Sequence, residues 1–114
     1  MTRIYKITAA AEWAEACAQG AYAGSAVDRA DGFIHFSTAD QCQETARRWF
    51  AGQDGLVLIA FDAELLGPEL RWEPSRGGAL FPHLYEPLPT ALAVSVRRLS
   101  LDTSGIPELG PLDP

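Results

Sequence analysis

The chain of 114 residues contains only two histidines, His35 and His83, and each stands among aromatic side chains where an imidazole is an uncommon choice. His35 lies between Phe33-Ile34 and Phe36-Ser37. In an extended strand alternate residues share a face, so Ile34 and Phe36 point one way while Phe33, His35 and Ser37 point the other. If the first pair fills a core, the second lines a surface or cleft. His83 belongs to Phe81-Pro82-His83-Leu84-Tyr85-Glu86-Pro87, where two prolines fix the backbone on either side. Polar side chains preorganised in this way beside aromatic rings suit a ligand pocket. The competing reading is structural: two partly buried rings whose nitrogens are satisfied by main-chain groups in a strand and a stiff bend.

Lys6, Tyr5, Ser37, Glu73 and Arg76 are the expected companions, each at a strand end or in the loop after Trp72. Of these, Lys6, Ser37 and Arg76 are assigned to ligand binding, and Glu73 joins His35, His83 and Tyr85 as a chemical group. Two histidines with Glu73 or Glu86 could form a His₂Glu metal set, but no short ligand spacing supports one, and no metal is expected. Ser37 follows His35 on the same strand without a nucleophile-elbow pattern, which leaves a serine hydrolase without support.

The elements that must position these groups read as follows. Arg3 to Ile7 alternates in the manner of a strand, and Thr8 offers an N-cap to an alanine-rich helix from 9 to 19, with Ala10, Trp13, Ala14 and Cys17 on its inner face. Residues 20–32 read as a loop. A short strand, Gly32 to Phe36, leads to Thr38 and Gln41, whose spacing is that of a capping box opening a helix from 39 to 51, with Cys42, Thr45, Ala46 and Trp49 inward. Gly55 to Phe61 is a near-continuous apolar run, as expected of a central strand covered on both faces. Further strands fall at 69–73, 80–84 and 91–99, the second interrupted by Pro82 and therefore expected at an edge. The sum is one α+β domain over residues 1–99, with two helices in its N-terminal half packed on a largely antiparallel sheet, and an extended tail over 100–114. No Gly-rich strand-to-helix turn of the dinucleotide or P-loop kind occurs.

A net charge of −6, with basic residues clustered only at Arg47-Arg48 and Arg97-Arg98, disfavours a nucleic-acid backbone as partner. No apolar run approaches the roughly 20 residues that span a bilayer, and no secretory segment follows Met1. The expected setting is the cytoplasm, with Cys17 and Cys42 reduced and buried.

The segments Ile4-Tyr5-Lys6-Ile7-Thr8 with Trp13, Asp31 to Thr38 with Gln41 and Thr45-Ala46, Trp72-Glu73, and Phe81-Pro82-His83-Leu84-Tyr85 resemble the domain of unknown function 952 family, small and mostly bacterial proteins without an established activity. The resemblance implies an ADP-ribosyltransferase-like fold, a split and strongly bent sheet with an NAD-sized cleft. Phe33-Ile34-His35-Phe36-Ser37 is also similar to the histidine-containing strand of NAD-using RNA 2′-phosphotransferases. Lys6 stands where transferases of this fold often carry the histidine that holds the nicotinamide ribose, and Glu86 where the family usually has glycine. On this footing NAD is the expected substrate, with Glu73 near the ribose, Tyr85 against nicotinamide, and His35 with Arg76 toward the phosphates. The alternative is a module that binds a nucleotide or other small anion through His35, His83 and Lys6 without turnover. No further cofactor is implied.

Overall fold

A computed structural model describes residues 2–114. Along the chain run β1 (Arg3–Ala9), α1 (Ala10–Gln19), β2 (Ala21–Tyr22), α2 (Ala26–Asp31), β3 (Ile34–His35), β4 (Ser37–Thr38), α3 (Ala39–Trp49), β5 (Leu56–Asp62), β6 (Leu70–Pro74), β7 (Leu80–Leu84), β8 (Leu88–Pro89), β9 (Ser95–Arg98), β10 (Ser100–Leu101) and β11 (Pro107–Glu108). The class is α+β, and the described strand pairings are antiparallel. Four strands form one sheet in the order β4-β1-β5-β9, and three form a second in the order β3-β7-β6. The chain passes from the second sheet to the first at Phe36, so the expected strand 32–36 is reduced to Ile34–His35, and a second short strand, Ser37–Thr38, follows it in the other sheet.

The apolar run of β5 is central, and its alternation feeds two cores. Val57, Ile59 and Phe61 face Trp13 and Ala16 of α1 together with Ile34, Phe36 and Leu84 of the second sheet region. Leu56, Leu58 and Ala60 face Cys42 and Ala46 of α3 together with Leu99 and Leu109. Burying each such aliphatic side chain contributes about 1.5–3 kcal/mol, which is why the strand tolerates almost no polar residue. The capping box of α3 forms as its spacing predicts, with Thr38 N–H donating to Gln41 Oε1 at 3.0 Å.

Several expectations are corrected. Residues 20–32 hold a strand and a third helix, because Ser25 and Asp28 form a capping box for α2. The composition of this segment reads as loop, but capping and burial outweigh it. Thr8 lies within β1 instead of capping α1, whose N-cap is Ala9. On α1 the buried positions are Trp13 and Ala16, and Cys17 is exposed. Trp49, the last residue of α3, is 66% exposed and not part of the inner stripe. Pro82 does not mark an edge, since β7 is the middle strand of its sheet. β3 leaves that ladder after His35, and Pro82 C=O still accepts from Phe36 N–H at 3.0 Å. The tail folds back as the β10–β11 hairpin, burying Leu109 and placing Asp113 C=O 2.7 Å from the Tyr5 hydroxyl that donates to it. Among the described residues no helix is long and apolar enough to cross a membrane.

Candidate functional site

The second sheet brings the histidines together. His35 of β3 and His83 of β7 are cross-strand partners, and Arg71 of β6 pairs with His83 on its other side, so the three form one row. Glu73 pairs with Phe81, two residues before His83, and therefore reaches His83 diagonally across the same face. The ring centroids of His35 and His83 are 5.4 Å apart, and Phe33 stacks on His83 at 4.2 Å. Phe33 is also 5.2 Å from Tyr85, over whose ring the Arg71 guanidinium sits at 4.7 Å.

Each imidazole is held at Nδ1 by a carboxylate and not by the main chain. His83 Nδ1 lies 2.8 Å from Glu73 Oε1, which also accepts from the Tyr85 hydroxyl at 2.6 Å. These bonds, Tyr85 first and His83 second, lower the Glu73 pKa from its ordinary value, and the same contact with Glu73 raises that of the Tyr85 phenol. His35 Nδ1 lies 2.6 Å from Asp28 Oδ1, and its Nε2 lies 3.0 Å from Asp31 Oδ2. A carboxylate only accepts, so each Nδ1 carries a proton directed at its partner. The main-chain alternative for the two rings is thereby replaced: both are oriented by side chains, as second partners orient functional imidazoles elsewhere.

Asp28 is the hub of the inner half of the site and is 2% exposed. Besides His35 Nδ1 it accepts from Lys6 Nζ at 2.7 Å, Ser25 N–H at 2.9 Å and His35 N–H at 3.2 Å. Burial pushes its carboxyl upward, but the bonds from His35, Lys6 and Ser25 outweigh it and hold the group well below the usual carboxylate range. Burial lowers the Lys6 ammonium, which Asp28 pulls back only in part.

Of the residues singled out from the sequence, His35, His83, Glu73 and Tyr85 meet on one face. Lys6 does not join them as a ligand group: it is 6% exposed, turned inward to Asp28 and His35 C=O. The strand reading of alternating burial fails here because β1 is covered on both sides. Ser37 is buried in the other sheet, where its hydroxyl lies 2.9 Å from Thr45 Oγ1. Arg76 lies over the Phe81 ring at 4.9 Å, toward Thr45, beyond the end of the histidine row. Asp28 and Asp31 escape a reading that takes 20–32 as loop, although the Ser25-x-x-Asp28 spacing is a helix-start signal that could have found the first. Among the described residues no group of three or more His, Cys, Asp or Glu side chains is gathered to hold a metal ion. Two surface hollows, of about 260 and 290 Å³, lie elsewhere, and neither is lined by His35 or His83.

Fold and site define a small α+β domain with two carboxylate-held imidazoles on one face of a three-stranded sheet, His35 partly exposed and His83 buried beneath the stacked Phe33 ring. Residues 7–96 match the family described as "Protein of unknown function (DUF952)", and the chain belongs to that family. It is similar to protein CC0527 from Caulobacter crescentus, whose crystal structure is 58% identical with a TM-score of 0.94 over 96% of each chain. The solution structure of CC0527 is also 58% identical, with a TM-score of 0.87 over 96% of this chain and 95% of that one. No curated protein matches the chain.

Proposed function

We propose that the face carrying His35, His83, Glu73 and Tyr85 is an active site for a nucleotide of the NAD type, acting as a hydrolase or transferase at the nicotinamide ribose. The observation that carries the reading is the Glu73–His83–Tyr85 arrangement. Glu73 Oε1 fixes the Nδ1–H tautomer of His83, so Nε2 presents a lone pair, while Glu73 itself stays ionised. Cleaving the nicotinamide bond sends the C1′–N electron pair to the pyridine nitrogen and builds positive charge on the ribose. An ionised carboxylate close by stabilises that charge. Water then forms the new C1′–O bond and gives its proton to His83 Nε2. Phe33 and Tyr85 supply flat apolar surface for nicotinamide, and Arg71 a cation for the phosphates. The ADP-ribosyltransferase-like fold implied by the resemblance supports the same substrate class. Two unpaired cysteines agree with a cytoplasmic protein that meets NAD as a small-molecule partner.

One observation favours binding without turnover. Lys6, which the resemblance aligns with the ribose-holding histidine of such transferases, is buried against Asp28 and supplies no imidazole to the face. Nicotinamide release from NAD separates the readings. The wild type is expected to release it, with Glu73→Gln and His83→Gln each slowing the rate by about 10² or more. ADP-ribose binding with no release identifies a binding module, and neither binding nor release overturns both readings.

A further inference from the structure

The sheet that carries the histidines ends in an unpaired edge. Its order is β3-β7-β6, and no described strand lies beyond β6. Tyr85 N–H donates to Glu69 C=O at 3.0 Å, so along the ladder with β7 the main-chain groups of Glu69, Arg71 and Glu73 point toward β7, and those of Leu70, Trp72 and Pro74 point away from it. Leu70 N–H is spent on Gly67 C=O at 3.3 Å, and Pro74 has no N–H. Trp72 is therefore the position on β6 at which a donor and an acceptor both stand open, and its side chain is exposed as well. An open edge of this kind is a template for another strand.

The side chains around Trp72 decide which strand fits. Arg71 and Glu73 flank it and share the opposite face of the sheet. Arg71 makes no described hydrogen bond: its guanidinium lies over the Tyr85 ring, and Glu69 Oε2 is 3.7 Å away, beyond hydrogen-bond length. Glu73 Oε1 accepts from His83 and Tyr85, while no described bond uses its Oε2. An antiparallel copy of β6 centred on Trp72 sets each Arg71 opposite the partner's Glu73, twice by symmetry, and lets the two Trp72 residues exchange main-chain bonds. Sliding the copy by two residues either way puts Arg71 opposite Arg71 or Glu73 opposite Glu73. In the centred register like charges stand only on the diagonals, about 7–8 Å apart, against about 5 Å for the opposed pairs. Glu69, the next charge along this face, falls opposite the partner's Ser75.

We infer that β6 is the interface of a homodimer: two copies of this chain join antiparallel about Trp72, doubling the three-stranded sheet and placing the partner's Arg71 against Glu73 of the histidine cluster. The pairing uses the same edge of both copies, so it closes at two, and Pro74 keeps the ladder from running further. The inference concerns the edge and stands whether or not the histidine face binds a nucleotide.

The test is sedimentation velocity of the full chain from micromolar to millimolar concentration, with amide exchange followed by NMR over the same range. The wild type is expected to move to the dimer mass as concentration rises, and the Trp72 N–H to exchange about tenfold more slowly in the dimer. Arg71→Glu and Glu73→Arg, each checked for an otherwise unchanged amide spectrum, should weaken self-association by about tenfold, the scale of two opposed pairs turned repulsive. Mixed in equal amounts the two variants should dimerise again, because two glutamates then face two arginines, a recovery that misfolded chains would not show. A wild type that stays monomeric at millimolar concentration leaves the edge to a different partner and overturns the inference. So does an Arg71→Glu variant that associates as the wild type does, a mixture that fails to regain the dimer, or a dimer in which the Trp72 N–H exchanges as fast as in the monomer.

Discussion

Replacing Asp28 by Asn keeps the shape of the side chain and removes its charge. The carboxylate accepts from Lys6 Nζ, Ser25 N–H, His35 N–H and His35 Nδ1, all in a site that is 2% exposed. The asparagine amide turns an NH₂ toward one of these donors, and Lys6 is left buried without its counter-charge. Breaking a buried ion pair from one side costs about 3–5 kcal/mol. In a domain of this size that is a fall in Tm of about 12 °C or more. Urea or thermal unfolding at pH 7 measures it. The pH dependence supplies a second signature. The folded-state pKa of Asp28 is depressed, so its contribution is fully present above the ordinary value of 3.8 and is lost as pH falls below it. The gap between wild type and Asp28→Asn should therefore be constant near neutrality and shrink below about pH 4. Adding Lys6→Met to the variant removes the stranded cation and should restore at least about 2 kcal/mol. A loss under about 1 kcal/mol for Asp28→Asn, or no recovery in the double variant, refutes the hub.

Other outcomes follow from the packing. Leu109→Ala, at a position 1% exposed, should cost about 2–5 kcal/mol if the C-terminal segment is part of the folded unit, as denaturant titration will show. Gly24→Ala should destabilise through its φ of +104° and a Cβ 2.7 Å from that of Asp28, and should also loosen the capping of α2, visible as faster amide exchange there. With a thiol reagent under native conditions Cys17 should react and Cys42 should not, because Cys42 is buried and its thiol pKa is pushed up to about 12 by that burial. Mass spectrometry of the labelled peptides decides.

Strong local signals carried most of the fold. The apolar run of β5 and the Thr38–Gln41 box are legible because pattern and capping chemistry agree with the tertiary setting. α2 is hidden by a Gly-, Asp- and Ser-rich composition, and only its Ser25–Asp28 spacing betrays it. The burial of Lys6 is hidden because a single strand does not reveal that both of its faces are covered, still less that Asp28 lies ready to neutralise the charge. Similarly, alternation around His35 places Phe33 and the ring on one face, but the split of that strand at Phe36 sends Ser37 into a different sheet. The pairing of His35 with His83 depends on the register of strands almost fifty residues apart, which no local pattern encodes.

The central claim, that a nucleotide docks on the histidine face, is tested most directly by the long-range ¹H–¹⁵N spectrum of the two imidazoles as NAD or ADP-ribose is added. The account predicts that His83 Nε2 shifts first and that His35, Tyr85 and Arg71 follow, while the resonances of Arg3 and Ser95 stay in place. Unmoved imidazoles at millimolar nucleotide, or shifts confined to another part of the chain, would contradict it.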